Sequence, residues 1–253
     1  MPAGAPDPAE LEALRRASAF VYVEDLDAPS LSDEDLHHLT NVLRLRAGER
    51  VIAADGKGAY VSCDFVPRPT SARARGEKGA SDVLVKAGEV RRAASSTSPL
   101  RVAFALPKGE RAEWTVQKLT EIGIDVIAPI MSARSVVRLD EADARKRATR
   151  LSRIAREAGA QSRRPRLPEI LEPVSFGQFC GTCVQQTAVL AEPGGGRITD
   201  EVETVIVGPE GGWSDDELAA IARHVDLGPG VLRAETAAIV AGTLLVAKRA
   251  GLL

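Results

Sequence analysis

Apolar positions fall into two regimes along the chain. Up to about residue 93 they come as short runs: 19–23 (AFVYV), 50–54 (RVIAA) and the alternating 59–65 (AYVSCDF). Runs of this length, rich in Val, Ile, Tyr and Phe, predict strands, and Asp55-Gly56-Lys57-Gly58 supplies the turn between the last two. A small β-barrel is the simplest arrangement. Between the first two runs, Ser32 precedes Asp33, Glu34 and Asp35, an N-cap followed by acids suited to the positive end of a helix dipole. Leu36, Leu39, Val42 and Leu43 then recur at helical spacing as its apolar face, with His37, His38 and Arg44 directed elsewhere. The Pro-, Gly-, Ser- and Arg-rich stretch 67–81 predicts a hairpin loop, and RRAASSTSP (91–99) has the composition of a linker. We expect one domain over 1–96 and a second over 97–253.

Past the linker, strands alternate with helices. Strands are predicted at 101–105, 125–130, 187–191, 203–207 and 225–227, and helices at 110–122, 141–160, 215–224 and 235–252. This alternation predicts an α/β domain with a mostly parallel sheet. No internal repeat is evident.

Composition excludes several classes. With 44% hydrophobic residues over 253 positions the chain can bury a core. The longest apolar run, near the C-terminus, is broken at Gly242-Thr243 and falls short of the roughly 20 residues needed to span a bilayer. The N-terminus lacks the apolar stretch of a signal peptide, and Cys63, Cys180 and Cys183 make no disulfide framework, so a cytoplasmic location is expected. The formal charge of −2, from 33 basic and 35 acidic residues, argues against an all-over basic coat. The distribution is uneven: residues 97–170 carry 15 basic and 9 acidic side chains, whereas 171–253 carry 5 and 11.

Candidate chemistry sits in the second half. The predicted strand ending at Val207 runs into Gly208-Pro209-Glu210-Gly211-Gly212, and a second glycine loop, Gly228-Pro229-Gly230, leads to Arg233, Glu235 and Thr236 at a helix start. Either glycine loop could be a tight turn with a helix cap. With Leu190-Ala191-Glu192-Pro193-Gly194 as a third loop, however, three strand ends converge at one sheet edge, where open α/β sheets bind small molecules. Neither dinucleotide nor nucleoside-triphosphate fingerprints are present. Between 145 and 166 nine basic residues face a single acid, Glu157, an imbalance that favours phosphate contact over a merely solvated helix face. At helical pitch Ala148, Leu151, Ile154, Ala155 and Ala158 form the apolar stripe, leaving Lys146, Arg153 and Arg156 opposite. Cys180 and Cys183 lack the further ligands a zinc site needs, and the adjacent His37 and His38 diverge on a helix, so no metal is expected.

Taken together, HHLTNVLRLRAGERVIAADGKGAYV (37–61), LPKGERAEWTVQKLTEIGIDVIAPI (106–130), SARSVV (132–137), RLSRIAREAGAQSRRPRLPEI (150–170), VGPEGGWSDDEL (207–218) and LGPGVLRAETAAIVAGTLL (227–245) resemble the RsmE family of ribosomal small-subunit RNA uridine-N3 methyltransferases, of the SPOUT class. The resemblance implies an N-terminal PUA-like β-barrel, a C-terminal α/β domain with a trefoil knot, S-adenosylmethionine as methyl donor, and a homodimer acting on small-subunit ribosomal RNA. It implies cofactor contacts from Leu190 and Glu192, from Val207, Gly208, Pro209, Glu210, Gly211 and Gly212, and from Leu227, Gly228, Leu232, Glu235, Thr236 and Ala237. Arg233 would polarise the uracil, with Glu210 or Glu235 accepting its proton. RNA contacts would come from His38, Arg44, Lys108, Arg134, Lys146, Arg153, Arg156, Gln161, Arg163 and Arg164. Two other readings stay open: a SPOUT enzyme acting on another RNA atom, such as a ribose 2′-oxygen, and a noncatalytic RNA-binding assembly factor.

Overall fold

The computed structural model describes residues 8–67, 83–93, 98–182 and 187–253. Described residues up to 93 form one compact unit together with 159–167; residues 98–158 and 168–253 form the second. Residues 68–81 of the predicted loop and part of the linker lie outside the described residues, as does Cys183.

In the first unit, helix α1 (Pro8–Arg16) precedes strands β1 (Ala19–Tyr22), β2 (Arg50–Ala54), β3 (Ala59–Val66), β4 (Val83–Lys86) and β5 (Arg91–Arg92). The sheet runs β1-β2-β3-β4 with β5 also on β3; β1 lies parallel to β2 and the other pairs are antiparallel. Asp55 Oδ1 accepts from the Lys57 and Ala59 N–H groups at 2.7 and 2.9 Å and closes the β2–β3 turn. Period-two alternation gives the sheet two apolar faces. Val51 and Ala53 pack with Val61, Cys63 and Phe65, while Ile52 and Ala54 pack with Leu14, Phe20, Tyr22 and Leu167.

Residues 159–167 are tied into this unit by hydrogen bonds. The Tyr22 hydroxyl donates to the Arg164 carbonyl at 2.7 Å. The Arg163 guanidinium donates to the Leu14 and Arg15 carbonyls, satisfying the last turn of α1.

The helix after Ser32 begins as expected, with Ser32 Oγ accepting from the Asp35 N–H at 3.1 Å. Its continuation differs. After α2 (Asp33–His37) the chain winds as a π-helical turn, His38–Val42, so hydrogen bonds run to the fifth residue and the apolar register rotates. Leu39 is fully buried but Val42 and Leu43 are 59% and 43% exposed, so the predicted four-residue apolar face does not form.

The second unit holds β6 (Arg101–Ala105), β7 (Val126–Met131), β8 (Glu169–Ile170), β9 (Val174–Ser175), β10 (Ala188–Gly196), β11 (Thr204–Val207) and β12 (His224–Val225). Strand order is β12-β10-β11-β6-β7-β8, with β9 also on β7, and every pairing is parallel. Its helices are α3 (Arg111–Ile122), α4 (Glu141–Gln161, of which 159–161 belong to the first unit), α5 (Phe176–Thr182), α6 (Asp215–Ala220) and α7 (Ala234–Arg249).

Alternation along the strands explains the two covered faces. Val102, Phe104, Val205, Val207 and Ile127 point to one face, under α3 and α7, through Val116, Leu119, Ala238, Ala241 and Leu245. Ala103, Ile206, Leu190, Ala128 and Ile130 point to the other, under Phe176 and Phe179 of α5 and Ile221. Where α7 crosses α3 a Cβ on Gly242 would come within 2.7 Å of Leu119 Cδ2, so any larger residue would force Leu119 to shift.

Strands β8 and β9 and helix α5 fall in a stretch without clear periodicity, where the pattern predicts no element. Helix α6 stops at Ala220, short of the predicted 224, because Ile221 is extended (φ −125°, ψ 106°) and leads the chain into β12. Glu235 and Thr236 do not cap α7: Arg233 occupies the N-cap position, with no side-chain cap bond.

Candidate functional site

Beyond the carboxyl ends of β10, β11 and β12 lies a cavity of about 370 Å³, within the range of small-molecule sites. Three loops build its walls, each following from local sequence.

The first is a bulge in β10. Ala191 and Gly196 both pair with Val225, so the four residues 192–195 are pushed out of the ladder, carrying Glu192 and Pro193 into the cavity wall. The chain folds back tightly against β12: a Cβ on Gly195 would lie 2.6 Å from the Val225 nitrogen.

The second loop follows β11. The Gly212 N–H donates to the Pro209 carbonyl at 2.9 Å, and the buried Trp213 donates its indole N–H to the Ala191 carbonyl at 3.1 Å, joining this loop to β10. Ser214 then opens α6 with a capping box. Glu217 Oε2 accepts from the Ser214 N–H at 2.9 Å, and its Oε1 accepts from the Ala133 N–H at 2.7 Å. Ala133 thereby brings Arg134 alongside, whose Nη1 donates to the Gly211 carbonyl at 3.0 Å.

The third loop follows β12 and is organised by Asp226. Its Oδ1 accepts from the Gly228 N–H at 2.9 Å and its Oδ2 from the Gly194 N–H at 3.0 Å. These hydrogen bonds, from Gly228 first and then Gly194, hold the Asp226 carboxyl below the usual carboxylate range.

Beside the cavity, Arg111 at the start of α3 reaches two acids. Its Nη1 lies 3.1 Å from Glu210 Oε1 and 3.9 Å from Glu235 Oε2. Glu235 is 8% exposed and its Oε2 is buried without a hydrogen-bond partner. Arg233 is exposed on the cavity lining, and among the described residues no ion pair engages it.

Most of the predicted cofactor residues meet here: Glu192, Val207, Gly208, Pro209, Glu210, Gly212, Leu227, Gly228, Leu232 and Ala237 line the cavity. Four do not. Leu190 is wholly buried in the sheet, Gly211 sits against Arg134, Glu235 stands against Arg111, and Thr236 is exposed outside the lining. Sequence reasoning missed Arg111, Asp226 and Glu217. For Glu217 a signal existed, the Ser214-x-x-Glu217 capping box; for Asp226 the signal was an Asp just ahead of a Gly-Pro-Gly turn.

The predicted RNA residues divide between the units. His38, Arg44, Gln161, Arg163 and Arg164 belong to the first, and Lys108, Arg134, Lys146, Arg153 and Arg156 to the second. Arg44 and Arg163 hold left-handed backbones, φ 55° and 57°, unusual for non-glycine residues. Arg163 is committed to α1, and Arg134 to the Gly211 carbonyl. Ion pairing on α4 is richer than the local sequence predicts. Arg147 and Arg150 meet Glu113 of α3 at 2.6 and 3.1 Å, while Lys146 pairs with Asp143 and Arg153 with Glu157.

The cavity is lined by Glu192, Glu210 and Arg233, with apolar surface from Leu227, Leu232 and Ala237; Glu210 is ion-paired with Arg111, and the Asp226 carboxylate is taken up by two backbone N–H groups. This donor set fits S-adenosylmethionine, whose sulfur and amino group are cationic and whose adenine is flat and largely apolar. Among the described residues no three His, Cys, Asp or Glu are grouped to hold a metal, and no helix is long and apolar enough to cross a membrane.

Comparison with known proteins identifies the family. An RNA methyltransferase domain model matches residues 94–246, and an RNA methyltransferase PUA domain model matches 31–63. The ribosomal RNA small subunit methyltransferase E of Mycobacterium bovis is 34% identical over 83% of this chain and 82% of its own length. That of Bacillus subtilis is 29% identical over 87% and 90%. Among solved structures, a Legionella pneumophila protein in complex with bound S-adenosylmethionine superposes with a TM-score of 0.74 at 28% identity, covering 91% of this chain and 97% of that one.

Proposed function

The chain belongs to the ribosomal RNA small subunit methyltransferase E family, and from that premise we propose that it transfers the methyl group of S-adenosylmethionine to N3 of a uridine in small-subunit ribosomal RNA. The observation that carries the reading is the acid-rich cavity at the carboxyl ends of three parallel strands, with a buried carboxylate oxygen on Glu235 that accepts no hydrogen bond beside it.

When bound, S-adenosylmethionine supplies an electrophilic methyl group on a positively charged sulfur. The residues of the chain do the rest. Glu192 and Glu210 present negative charge to a cationic ligand. N3 of uridine carries a proton that must leave before it can attack. We assign the acceptance of that proton to Glu235; what supports this is that no donor lies within hydrogen-bond distance of its Oε2. Arg111, between Glu210 and Glu235, is the neighbouring cation that offsets their mutual repulsion. Arg233, exposed on the lining, donates to a uracil carbonyl as charge develops there. We extend the proposal to a cytoplasmic homodimer; the 95% exposed Val231 on the cavity rim is apolar surface that a second copy would cover.

The test is nucleoside mass spectrometry of small-subunit RNA after incubation with the protein and methyl-labelled S-adenosylmethionine. Label in 3-methyluridine is expected. Label in a 2′-O-methyl nucleoside, or in none, would overturn the assignment.

A further inference from the structure

Two walls of the cavity share one fastening. The bulge 192–195 and the loop after β12 come from different strands, and each turns on a glycine with a left-handed backbone, Gly194 at φ 81° and Gly228 at φ 150°. Chain neighbours aside, no atom lies within 4 Å of where a Cβ on either glycine would stand. What reaches both is the carboxylate of Asp226, one oxygen on each N–H at 3.0 and 2.9 Å, while its own N–H donates to the Gly196 carbonyl at 2.9 Å.

We propose that Asp226 is a positioning residue whose carboxylate clips the β10 bulge to the loop after β12 and thereby holds the cavity in the shape that takes the cofactor. This rests on the reading that the cavity binds S-adenosylmethionine. Hydrogen bonds from backbone N–H groups to an ionised carboxylate are charge-assisted, and a carboxylate is the one side-chain group that accepts on both oxygens with no donor of its own. Asparagine has the same shape but turns an N–H₂ toward one of the two backbone donors, so Asp226→Asn releases one loop.

Calorimetry with S-adenosylmethionine and with its neutral demethylated product, S-adenosylhomocysteine, tests this together with hydrogen exchange. For Asp226→Asn we expect both ligands to bind about tenfold more weakly, by the same factor, as the loss of a hydrogen bond to a charged group implies. Peptides covering 192–196 and 226–230 should exchange faster, with the melting temperature near that of the parent protein and KM for the cofactor raised at little change in kcat. Asp226→Ser, shorter and uncharged, should do the same and serves if Asp226→Asn fails to fold. Undiminished affinity in the variants overturns the proposal. So does a loss confined to S-adenosylmethionine, which would mean direct charge pairing rather than positioning. Absence of binding by the parent protein would instead overturn the cofactor reading on which the proposal stands.

Discussion

At the scale of single residues, the site turns on charged groups far apart in sequence. Arg111 and Glu210 are separated by 99 positions yet meet at 3.1 Å. Nothing in spacing marks Arg111 among the other arginines, because the pairing is made by the sheet order, which sets β6 beside β11. Glu235 and Arg233 were legible as a helix start, but their separate burial was not. Replacing Glu235 by Gln should lower kcat by about 10²–10⁴, the usual worth of a positioned proton acceptor, with cofactor affinity unchanged by calorimetry. Arg233→Ala should likewise keep cofactor affinity within a few fold while methylation collapses; equal loss of both would remove Arg233 from contact with the uracil.

Elements were easier to read than sites wherever periodicity was clean. The main strands of the second unit and its long helices follow from alternation and 3.6-residue spacing, and the apolar stripe of α4 is buried as expected at Ala148, Leu151, Ala155 and Ala158. The π-helical turn was illegible, since Val42 and Leu43 match a helical face and only a change of winding exposes them. So were β8, β9 and α5, too short for their periods to register.

On α4, the charge imbalance counted along the sequence is partly offset in space: Glu113, from another helix, draws in Arg147 and Arg150. The exposed pairs Lys146–Asp143 and Arg153–Glu157 are of the weak surface kind and leave the outer face available to phosphate. Arg153→Glu with Arg156→Glu should therefore weaken RNA binding and flatten its dependence on log salt by about two units, roughly one for each phosphate no longer neutralised. Unchanged binding would place the RNA elsewhere. At the crossing of α3 and α7, Gly242→Ala should lower stability by about 1–3 kcal/mol in a denaturant melt, because Leu119 must move to admit the methyl group.

For the whole molecule, pH acts from both ends. Asp27 is held low by the hydrogen bond from Lys86, Glu49 by that from the Arg46 N–H, and Asp226 by its two glycines. All three ionise more readily folded than unfolded. Their contribution is present above about pH 4 and is lost as pH falls through the lowered values. Cys63 works in the opposite sense: burial first, then Asp64, pushes its thiol from 9.0 up to about 11. The folded chain holds that proton more tightly, so the stability it lends is full below about pH 9 and is lost as pH rises through about 11. Denaturant melts of Cys63→Ala at pH 8 and pH 11 should accordingly differ less than those of the parent protein.

Residues 159–167 bear on how this protein can be taken apart. They leave the end of α4 and lodge with the N-terminal strands, where Leu167 packs with Phe20 and Tyr22 and Arg163 closes α1. A fragment cut at the linker would not yield two independent modules. The N-terminal piece would lose a strip of its own wall, and the C-terminal piece would carry nine residues that belong to the other unit. Graft and deletion experiments on this protein must therefore exchange two stretches of the chain at once.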